Sequence, residues 1–182
     1  MFIKLETKHL FIRKLKTYDY NDVYEYMKDK ETMEYFLDGP YSKAKVIAML
    51  NPDGEQEHYA LVLKDSNKTI GHLDFHKWDM PDSYEIGWII NKDYRNKGYI
   101  TEAALALVNH VFIKKKIHRI IATCQPTNLA SKRICEKLNM RLEGTFIKCT
   151  YNKKKDIWMD ELFYAILEEE YNEYQNNISR KD

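Results

Sequence analysis

A strand, a basic turn and a helix follow one another without interruption over residues 84–107, YEIGWIINKDYRNKGYITEAALAL. Residues 84–90 alternate with a period of two, which predicts a strand, and apolar residues after position 101 recur at the spacing of an amphipathic helix. The basic turn is therefore expected at a helix N-terminus that a strand feeds directly. One face of the strand carries Tyr84, Ile86, Trp88 and Ile90, and the other carries Glu85, Gly87 and Ile89.

Residues 95–101 of this turn have the physical properties of an anion-binding site. The N–H groups of a first helical turn have no partner within the helix, and the helix dipole is positive there. Gly98 lets a ligand approach the backbone, while Arg95 and Lys97 add positive charge. The GxxxxGK(S/T) pattern of P-loop proteins and the GxGxxG pattern of dinucleotide-binding folds are both absent. The turn therefore predicts a phosphate-binding loop of another kind.

The sequence of this loop, RNKGYITEA at residues 95–103, resembles the pyrophosphate-binding loop of the GNAT N-acetyltransferases. It is most similar to the RimJ/RimL branch, which acetylates protein N-termini, and it departs from the pattern at Ile100, where the family has Gly or Ala. Arg13 and Asp19 near the beginning of the chain, and N-x-x-S at residues 128–131, also match this branch. The resemblance covers about residues 8–167.

This resemblance implies the GNAT acyl-CoA N-acyltransferase fold, an α/β structure with a mixed, mostly antiparallel central sheet and helices on both faces. Periodicity and turn signals predict the element order β-α-α-β-β-β-α-β-α-β-β. Turns are expected at residues 51–54 and 152–155, a closing β-hairpin over residues 143–166, and a tail helix over residues 167–177. The length of 182 residues suits one acetyltransferase domain, which we expect over residues 1–182.

Composition and charge limit the other classes of function. The net charge of +1 gives no indication of a protein held on nucleic acid by bulk electrostatics. Three cysteines without a CxxC pair are typical of a reduced cytosolic protein, and we interpret Cys124 and Cys135 as core residues. The N-terminus lacks a signal-peptide pattern, and no window approaches 18 apolar residues. A soluble, cytoplasmic protein without nucleic-acid or membrane partners is expected.

By this resemblance the cosubstrate is acetyl-CoA. The backbone of Trp88, Ile89 and Ile90 would pair with pantetheine like an added strand. Asn128 is carried over as a pantetheine contact, although its position is equally that of a helix N-cap. Ser131 is carried over as a hydroxyl near the sulfur and as a candidate acid for the leaving thiolate. The pyrophosphate would be held by Arg95, Asn96, Lys97, Gly98, Tyr99, Ile100 and Thr101.

Acetyl transfer from a thioester to an amine needs a base for the ammonium proton and a stabiliser for the oxyanion. The resemblance implies direct transfer in a ternary complex, and the sequence shows no recognisable Cys/His nucleophile arrangement. Glu85, on the strand face opposite Trp88, is the leading candidate for the base, acting directly or through a water. The alternative is a carboxylate that is hydrogen-bonded to a neighbouring strand for structural reasons.

His72 and His76 lie four residues apart on a predicted strand and therefore share a face. The helix and the glutamate of an HExxH site are missing, so no metal is expected. We expect these two histidines either in the acceptor groove or on the surface.

The identity of the amine acceptor stays open in the sequence. The resemblance favours a protein N-terminus of the ribosomal-protein type, and a small polyamine or aminoglycoside-like amine is the alternative. A non-catalytic acyl-CoA-binding module is the alternative of another class. The hairpin edge between Phe146 and Phe163, together with the habit of the family, favours a homodimer. The expected groove residues are the aromatic Tyr35, Phe36, Tyr41, Phe75, Trp78, Tyr151 and Trp158 and the acidic Asp38, Asp74, Asp79 and Asp82.

Overall fold

The computed structural model describes residues 4–51, 57–115, 117–153 and 155–179. The predicted turn at residues 51–54 lies mostly outside these residues, as does Lys154 in the predicted turn at residues 152–155. The elements in chain order are β1 (Lys4–Glu6), β2 (Leu10–Lys14), α1 (Tyr20–Met27), α2 (Lys43–Leu50), β3 (Glu57–Leu63), β4 (Thr69–Lys77), β5 (Ser83–Ile90), α3 (Tyr99–Lys115), β6 (Arg119–Cys124), α4 (Leu129–Lys137), β7 (Arg141–Asn152), β8 (Ile157–Leu167) and α5 (Glu168–Ser179).

The strands of the described residues form one sheet in the order β1-β2-β3-β4-β5-β6-β8-β7. Neighbouring strands are antiparallel except β5 and β6, which are parallel because α3 carries the chain back between them. The predicted mixed, mostly antiparallel sheet is thereby confirmed. The predicted order lacked β1, because a strand of three residues is too short for a period of two to be recognised.

The central strand β5 sends side chains to two hydrophobic cores on opposite faces of the sheet. Ile86 is buried with Leu107 and Val111 of α3. Ile89 is buried on the other face with Val23 of α1, and residues of α2 complete that core. Helices therefore cover both faces, and the predicted alternation of β5 is confirmed.

β5 and β6 are paired only at their beginnings. Their register ends at Glu85↔Ile121, whereas β5 continues to Ile90 and β6 continues to Cys124. The two strands therefore separate beyond Glu85. Within the described ranges, the edge of β5 that faces this opening has no strand beside it.

Gly71 of β4 allows a close approach on the other edge of β5. A Cβ built on Gly71 would lie 2.3 Å from the carbonyl oxygen of Ile89 and 2.9 Å from the Cα of Ile90. Any side chain at this position would push the end of β5 away from β4 and toward the opening. The glycine therefore helps to keep the opening wide.

The cysteines are free thiols, with Cys124 and Cys135 buried as predicted and Cys149 exposed. In the part of the chain that the structure describes, no helix combines the length and the apolar character needed to span a bilayer.

Candidate active site

A cleft of about 360 Å³ lies at the opening between β5 and β6. It is bounded by the end of β5, the turn that follows it, the first turn of α3 and part of α4. Lys97 is outside the lining. Its side chain is exposed, and its Nζ lies 5.1 Å from the ring centroid of Tyr94. The predicted CoA-binding residues that do line the cleft are Trp88, Ile89, Ile90, Arg95, Asn96, Gly98, Tyr99, Ile100, Thr101, Asn128 and Ser131.

The turn before α3 passes twice through the left-handed region. The angle φ is 61° at Asn96 and 83° at Gly98, which these two residue types tolerate well. Apart from Gly98 itself and its two chain neighbours, none of the described residues has an atom within 4 Å of a Cβ built on Gly98, so the space above it is open to a ligand. The N–H of Glu102 donates to Gly98 O at 2.9 Å, and the N–H groups of residues 99–101 therefore precede the first helical hydrogen bond. This backbone geometry suits an anion.

Arg95 is held by the segment that follows α1. Its Nη1 donates to Glu31 Oε1 and its Nη2 donates to Glu31 O, both at 3.1 Å. Nearby, Lys92 Nζ donates to Asp29 Oδ2 at 3.1 Å. No periodic pattern marks this segment in the sequence, so Glu31 was not anticipated. A phosphate bound at the turn would compete with Glu31 for the guanidinium group.

A second cavity of about 250 Å³ adjoins the cleft and is acidic. Its lining includes Asp74, Glu85 and Glu161, together with His76. Glu85 points to the α1 side of the sheet, whereas Trp88 points to the α3 side, so the opening between β5 and β6 connects the two faces. Glu161 was missed by sequence reasoning, because its neighbours depend on how β8 pairs with β6. The residues shared by the two linings are Tyr35, Phe36, Trp88, Asn128 and Ser131.

Trp88 and Ser131 are in direct contact where the two cavities meet. Trp88 Nε1 donates to Ser131 Oγ at 3.1 Å. The backbone N–H of Ser131 in turn donates to the side-chain oxygen of Asn128 at 3.1 Å, which makes Asn128 the N-cap of α4. The cap therefore fixes the backbone of Ser131, and the hydrogen bond from Trp88 holds its hydroxyl.

Glu85 is largely buried and has two polar neighbours. Thr123 Oγ1 donates to Glu85 Oε1 at 3.1 Å, and His76 Nε2 lies 3.3 Å from Glu85 Oε2. Burial raises the pKa of Glu85, and the charge of Glu161 adds to that rise. His76 and Thr123 act in the opposite direction without cancelling it. The geometry thus contains both the hydrogen bond to a neighbouring strand and a carboxylate whose raised pKa suits proton transfer.

The two histidines of β4 share a strand face, as predicted, but their surroundings differ. His76 lines the acidic cavity beside Glu85. His72 is only 2% exposed, and its Nδ1 lies 2.8 Å from the hydroxyl of Tyr26 in α1. The expectation of a groove or surface position is therefore wrong for His72, because α1 packs over that part of β4.

Few of the expected groove residues reach the cavities. Tyr35 and Phe36 line both of them, and Asp74 lines the acidic one. Phe75 is buried on the opposite face of β4, where its ring is stacked on that of Tyr84 at 4.9 Å. The remaining residues lie elsewhere: Tyr41 packs in the core beside α1 and α2, Asp38 pairs with Lys45, Trp78 packs against Phe163, Tyr151 packs against Trp158, and Asp79 and Asp82 are exposed between β4 and β5.

Comparison with known proteins identifies relatives along nearly the whole chain. The profile of a family described as acetyltransferase (GNAT) domain matches residues 9–141. YnaD of Bacillus subtilis (strain 168), named an uncharacterized N-acetyltransferase, is 43% identical over 170 residues, or 92% of this chain and 99% of that protein. The crystal structure of a GNAT-family acetyltransferase from Bacillus anthracis is 40% identical, with a TM-score of 0.86 over 92% of this chain and 99% of that one.

Two more distant structures share the fold. RimL, a ribosomal L7/L12 alpha-N-protein acetyltransferase in complex with coenzyme A, is 19% identical, with a TM-score of 0.80 over 91% of this chain and 98% of that one. A spermidine N-acetyltransferase from Vibrio cholerae in complex with CoA and spermine is 18% identical, with a TM-score of 0.77 over 90% and 98%. The family profile and the two nearer relatives, together with the cleft at the strand opening, establish that this chain belongs to the GNAT family and is an N-acetyltransferase.

Proposed function

We propose that this enzyme transfers the acetyl group of acetyl-CoA to a primary amine directly, in a ternary complex of the RimJ/RimL type. The observation that supports this most directly is that two cavities meet at Trp88 and Ser131. One cavity offers a helix N-terminus for a pyrophosphate, and the other offers the buried carboxylate of Glu85 for an amine. An amine that enters from the α1 side would reach a thioester that enters from the α3 side.

In this proposal CoA occupies the cleft of about 360 Å³. Its pyrophosphate lies against the N–H groups of residues 99–101 and takes the guanidinium of Arg95 from Glu31. The pantetheine runs along residues 88–90, where the edge of β5 is open to hydrogen bonding. Asn128 and Ser131 border it from the beginning of α4. Lys97 lies within the loop and contributes positive charge without lining the cleft.

The proposed reaction begins when Glu85 takes a proton from the acceptor ammonium, directly or through a water. The neutral amine attacks the thioester carbonyl, and a backbone N–H of residues 88–90 stabilises the oxyanion. The C–S bond then breaks and the thiolate leaves, while the nitrogen loses its second proton as the amide forms. The thiolate takes up this second proton, through the Ser131 hydroxyl or through water. In this proposal the Ser131 hydroxyl protonates the thiolate, although a thiol pKa of about 8.5 makes this assistance small. These steps use side chains and backbone alone, so the transfer needs no metal.

For the acceptor we propose a protein N-terminal amine, since the loop sequence is most similar to the branch with that activity. A small polyamine is the second candidate. It is favoured by the three carboxylates of Asp74, Glu85 and Glu161 in one cavity, which suit a multiply charged amine.

Calorimetry with CoA tests the donor site. We expect CoA to bind with a dissociation constant of tens of micromolar or lower. Gly98→Asp should abolish this binding, because its carboxylate would occupy the position of the phosphate. In addition, any side chain is strained at the positive φ of Gly98. Gly144→Asp is the matched control, since Gly144 lies on β7 in open space. Absence of CoA binding, or equal binding by the two variants, would refute the assignment.

Release of free thiol from acetyl-CoA tests the transfer and narrows the acceptor. The panel comprises N-terminal peptides, polyamines and aminoglycosides. Release with peptides supports the first candidate, and release with polyamines supports the second. Binding of CoA without thiol release for any amine would identify an acyl-CoA-binding module instead.

A homodimer is also part of this proposal. β7 is an edge strand of the sheet, and its hairpin with β8 exposes several large apolar side chains. A monomeric mass by light scattering at micromolar concentration would reject the dimer. The exposed side chains are Leu142, Phe146, Ile147, Tyr151, Ile157 and Trp158.

We further propose that residues 1–182 form one domain that acts in the cytoplasm. One sheet contains the strands of all described segments, and three free thiols suit a reducing compartment. Fractionation of cells that contain a tagged protein tests the location.

A further inference from the structure

Three side chains with metal-ligating atoms converge beside the acidic cavity. His58 of β3 pairs in register with Asp74 of β4, and His72 lies two residues before Asp74 on the same strand face. One nitrogen or oxygen atom of each lies within 4.8 Å of those of the other two. The sequence spacing of His72 and His76 gave no indication of this cluster, because it depends on the pairing of β3 with β4.

The separation of His72 from Asp74 is close to that of two ligands in a coordinated site. Ligand atoms around a tetrahedral zinc ion lie roughly 3.3 Å apart, given zinc–ligand bonds of about 2.0–2.1 Å. His72 Nε2 lies 3.5 Å from Asp74 Oδ1, and His58 Nδ1 is hydrogen-bonded to the same oxygen. Small side-chain movements would therefore place all three atoms around one ion.

One tautomer of His72 has the orientation that coordination requires. Its Nδ1 lies 2.8 Å from the hydroxyl oxygen of Tyr26, which can accept a hydrogen bond from Nδ1–H and leave the lone pair of Nε2 facing Asp74. An oxygen that accepts a hydrogen bond from the other ring nitrogen is typical of metal-bound histidines.

The site also has an entrance. Asp74 lines the acidic cavity, and its side chain is 29% exposed. Gly87 stands opposite Asp74 in the next strand, and a Cβ there would already be 3.6 Å from Asp74 Oδ2, so the glycine leaves this side of the carboxylate uncrowded. Water from the cavity could fill a fourth coordination position.

We propose that His58, His72 and Asp74 bind one divalent transition-metal ion of the Zn²⁺ or Co²⁺ class. Two imidazoles and one carboxylate select such ions over Mg²⁺ and Ca²⁺, which prefer oxygen ligands. The inference shares Asp74 with the polyamine candidate above, and it does not depend on the acetyl transfer itself. The competing description is a metal-free network in which His58 donates to Asp74, and the experiments below separate the two.

Titration of the chelator-treated protein with Zn²⁺ and Co²⁺ is the first test. Calorimetry should give one Zn²⁺ per chain, Zn²⁺ should raise the thermal midpoint, and Co²⁺ should develop the visible absorption of a four-coordinate ion. Asp74→Asn and His58→Gln should weaken binding more than 100-fold. Asp79→Asn and His118→Gln, both at exposed positions, are matched controls that should bind as the wild type does. No saturable binding, or equal binding by Asp74→Asn and Asp79→Asn, would overturn the site.

Two further measurements keep the test decisive if a variant folds poorly. In ring-nitrogen NMR of the unaltered protein, saturating Zn²⁺ should shift His58 Nδ1 and His72 Nε2, while the signals of His118 stay in place. Tyr26→Phe, which keeps the ring but removes the oxygen, should weaken Zn²⁺ binding about 10–100-fold. If Zn²⁺ leaves both ring signals unchanged, the metal-free network is correct.

Discussion

Glu85 has a raised pKa and lines the acidic cavity. A catalytic base at this position and a purely structural carboxylate would respond differently to substitution. Glu85→Gln keeps the shape of the side chain but cannot accept the ammonium proton. We expect kcat to fall by about 10²–10⁴-fold, the usual value of a positioned base, while CoA affinity is retained. The loss should shrink as pH rises, because more of the acceptor is then neutral. The pH dependence of kcat for the variant and the wild type, together with calorimetry of CoA binding, tests this prediction.

Stability gives the matching control. Because the folded-state pKa of Glu85 is raised, its contribution to stability is lost as pH rises through that pKa. Above that pKa the variant removes a buried charge, so its unfolding midpoint should be equal to or higher than that of the wild type. Glu136→Gln, on the exposed face of α4, should change neither quantity. A lower midpoint with an unchanged pH profile would assign Glu85 a structural role.

We expect His76 to adjust the pKa of Glu85 and not to act as the base itself. Its Nε2 lies 3.3 Å from Glu85 Oε2 and lowers the pKa of that carboxyl. His76→Gln should therefore move the acidic limb of the kcat/KM profile to higher pH, because Glu85 must be deprotonated to act, while the rate at high pH is retained. His118→Gln is the control. A uniform loss at every pH, without displacement of the limb, would mean that His76 acts on the substrate instead.

Among the elements, β5 depends on the space left by Gly71. Gly71→Ala would bring a Cβ against the Ile89 carbonyl and displace the end of β5 toward the cleft. We expect the free energy of unfolding to fall by about 1–3 kcal/mol, as for overpacked sites, and CoA to bind more weakly. Gly144→Ala adds the same methyl group in open space on β7 and should change neither. Denaturant unfolding and CoA calorimetry measure both effects, and unchanged CoA affinity would separate the strand position from donor binding.

Local patterns predicted the elements that surround the cleft. The period of two in β5, the glycine before α3 and the cap at Asn128 are each set by residues close together in the chain, and the structure has all three. The same period placed Phe75 and His72 on opposite faces of β4 but could not say what covers each face. The sequence favours the acceptor groove for Phe75, and that groove or the surface for His72. In the structure Phe75 is in the core and His72 lies under α1.

At the scale of the molecule, the features that sequence reasoning missed are contacts between distant segments. Glu31 and Arg95 are 64 residues apart in the chain, and His58 and Asp74 become neighbours only through strand pairing. Glu161 reaches the acidic cavity because β8 pairs with β6. A resemblance in sequence can predict a loop or a helix cap, because each is formed by residues close together in the chain. The charged neighbours of each group depend on strand pairing, so they were known only from the structure.

Asp19 connects three parts of the molecule. Its carboxylate accepts hydrogen bonds from Arg13 at 2.7 and 2.8 Å and from Thr69 Oγ1 of β4 at 2.8 Å, beside the beginning of α1. The side chain is only 4% exposed. Burial alone would raise the pKa of Asp19, but the hydrogen bonds from Arg13, Thr69 and the backbone outweigh it, so the pKa lies below the ordinary value.

Asp19→Asn should therefore destabilise the whole fold and leave the chemistry intact. Removing one partner of a buried ion pair costs about 3–5 kcal/mol, and we expect a loss near the lower limit because Arg13 is partly exposed. Since the folded-state pKa is lowered, the contribution of Asp19 is present above the unfolded pKa of about 3.9 and is lost as pH falls through the folded value. The difference between variant and wild type should be full at pH 7 and shrink at acid pH. Asp65→Asn, in the exposed turn after β3, is the control. If the free energy of unfolding of Asp19→Asn still differed from that of the wild type at acid pH, the shape of the Asp19 side chain rather than its charge would stabilise these contacts.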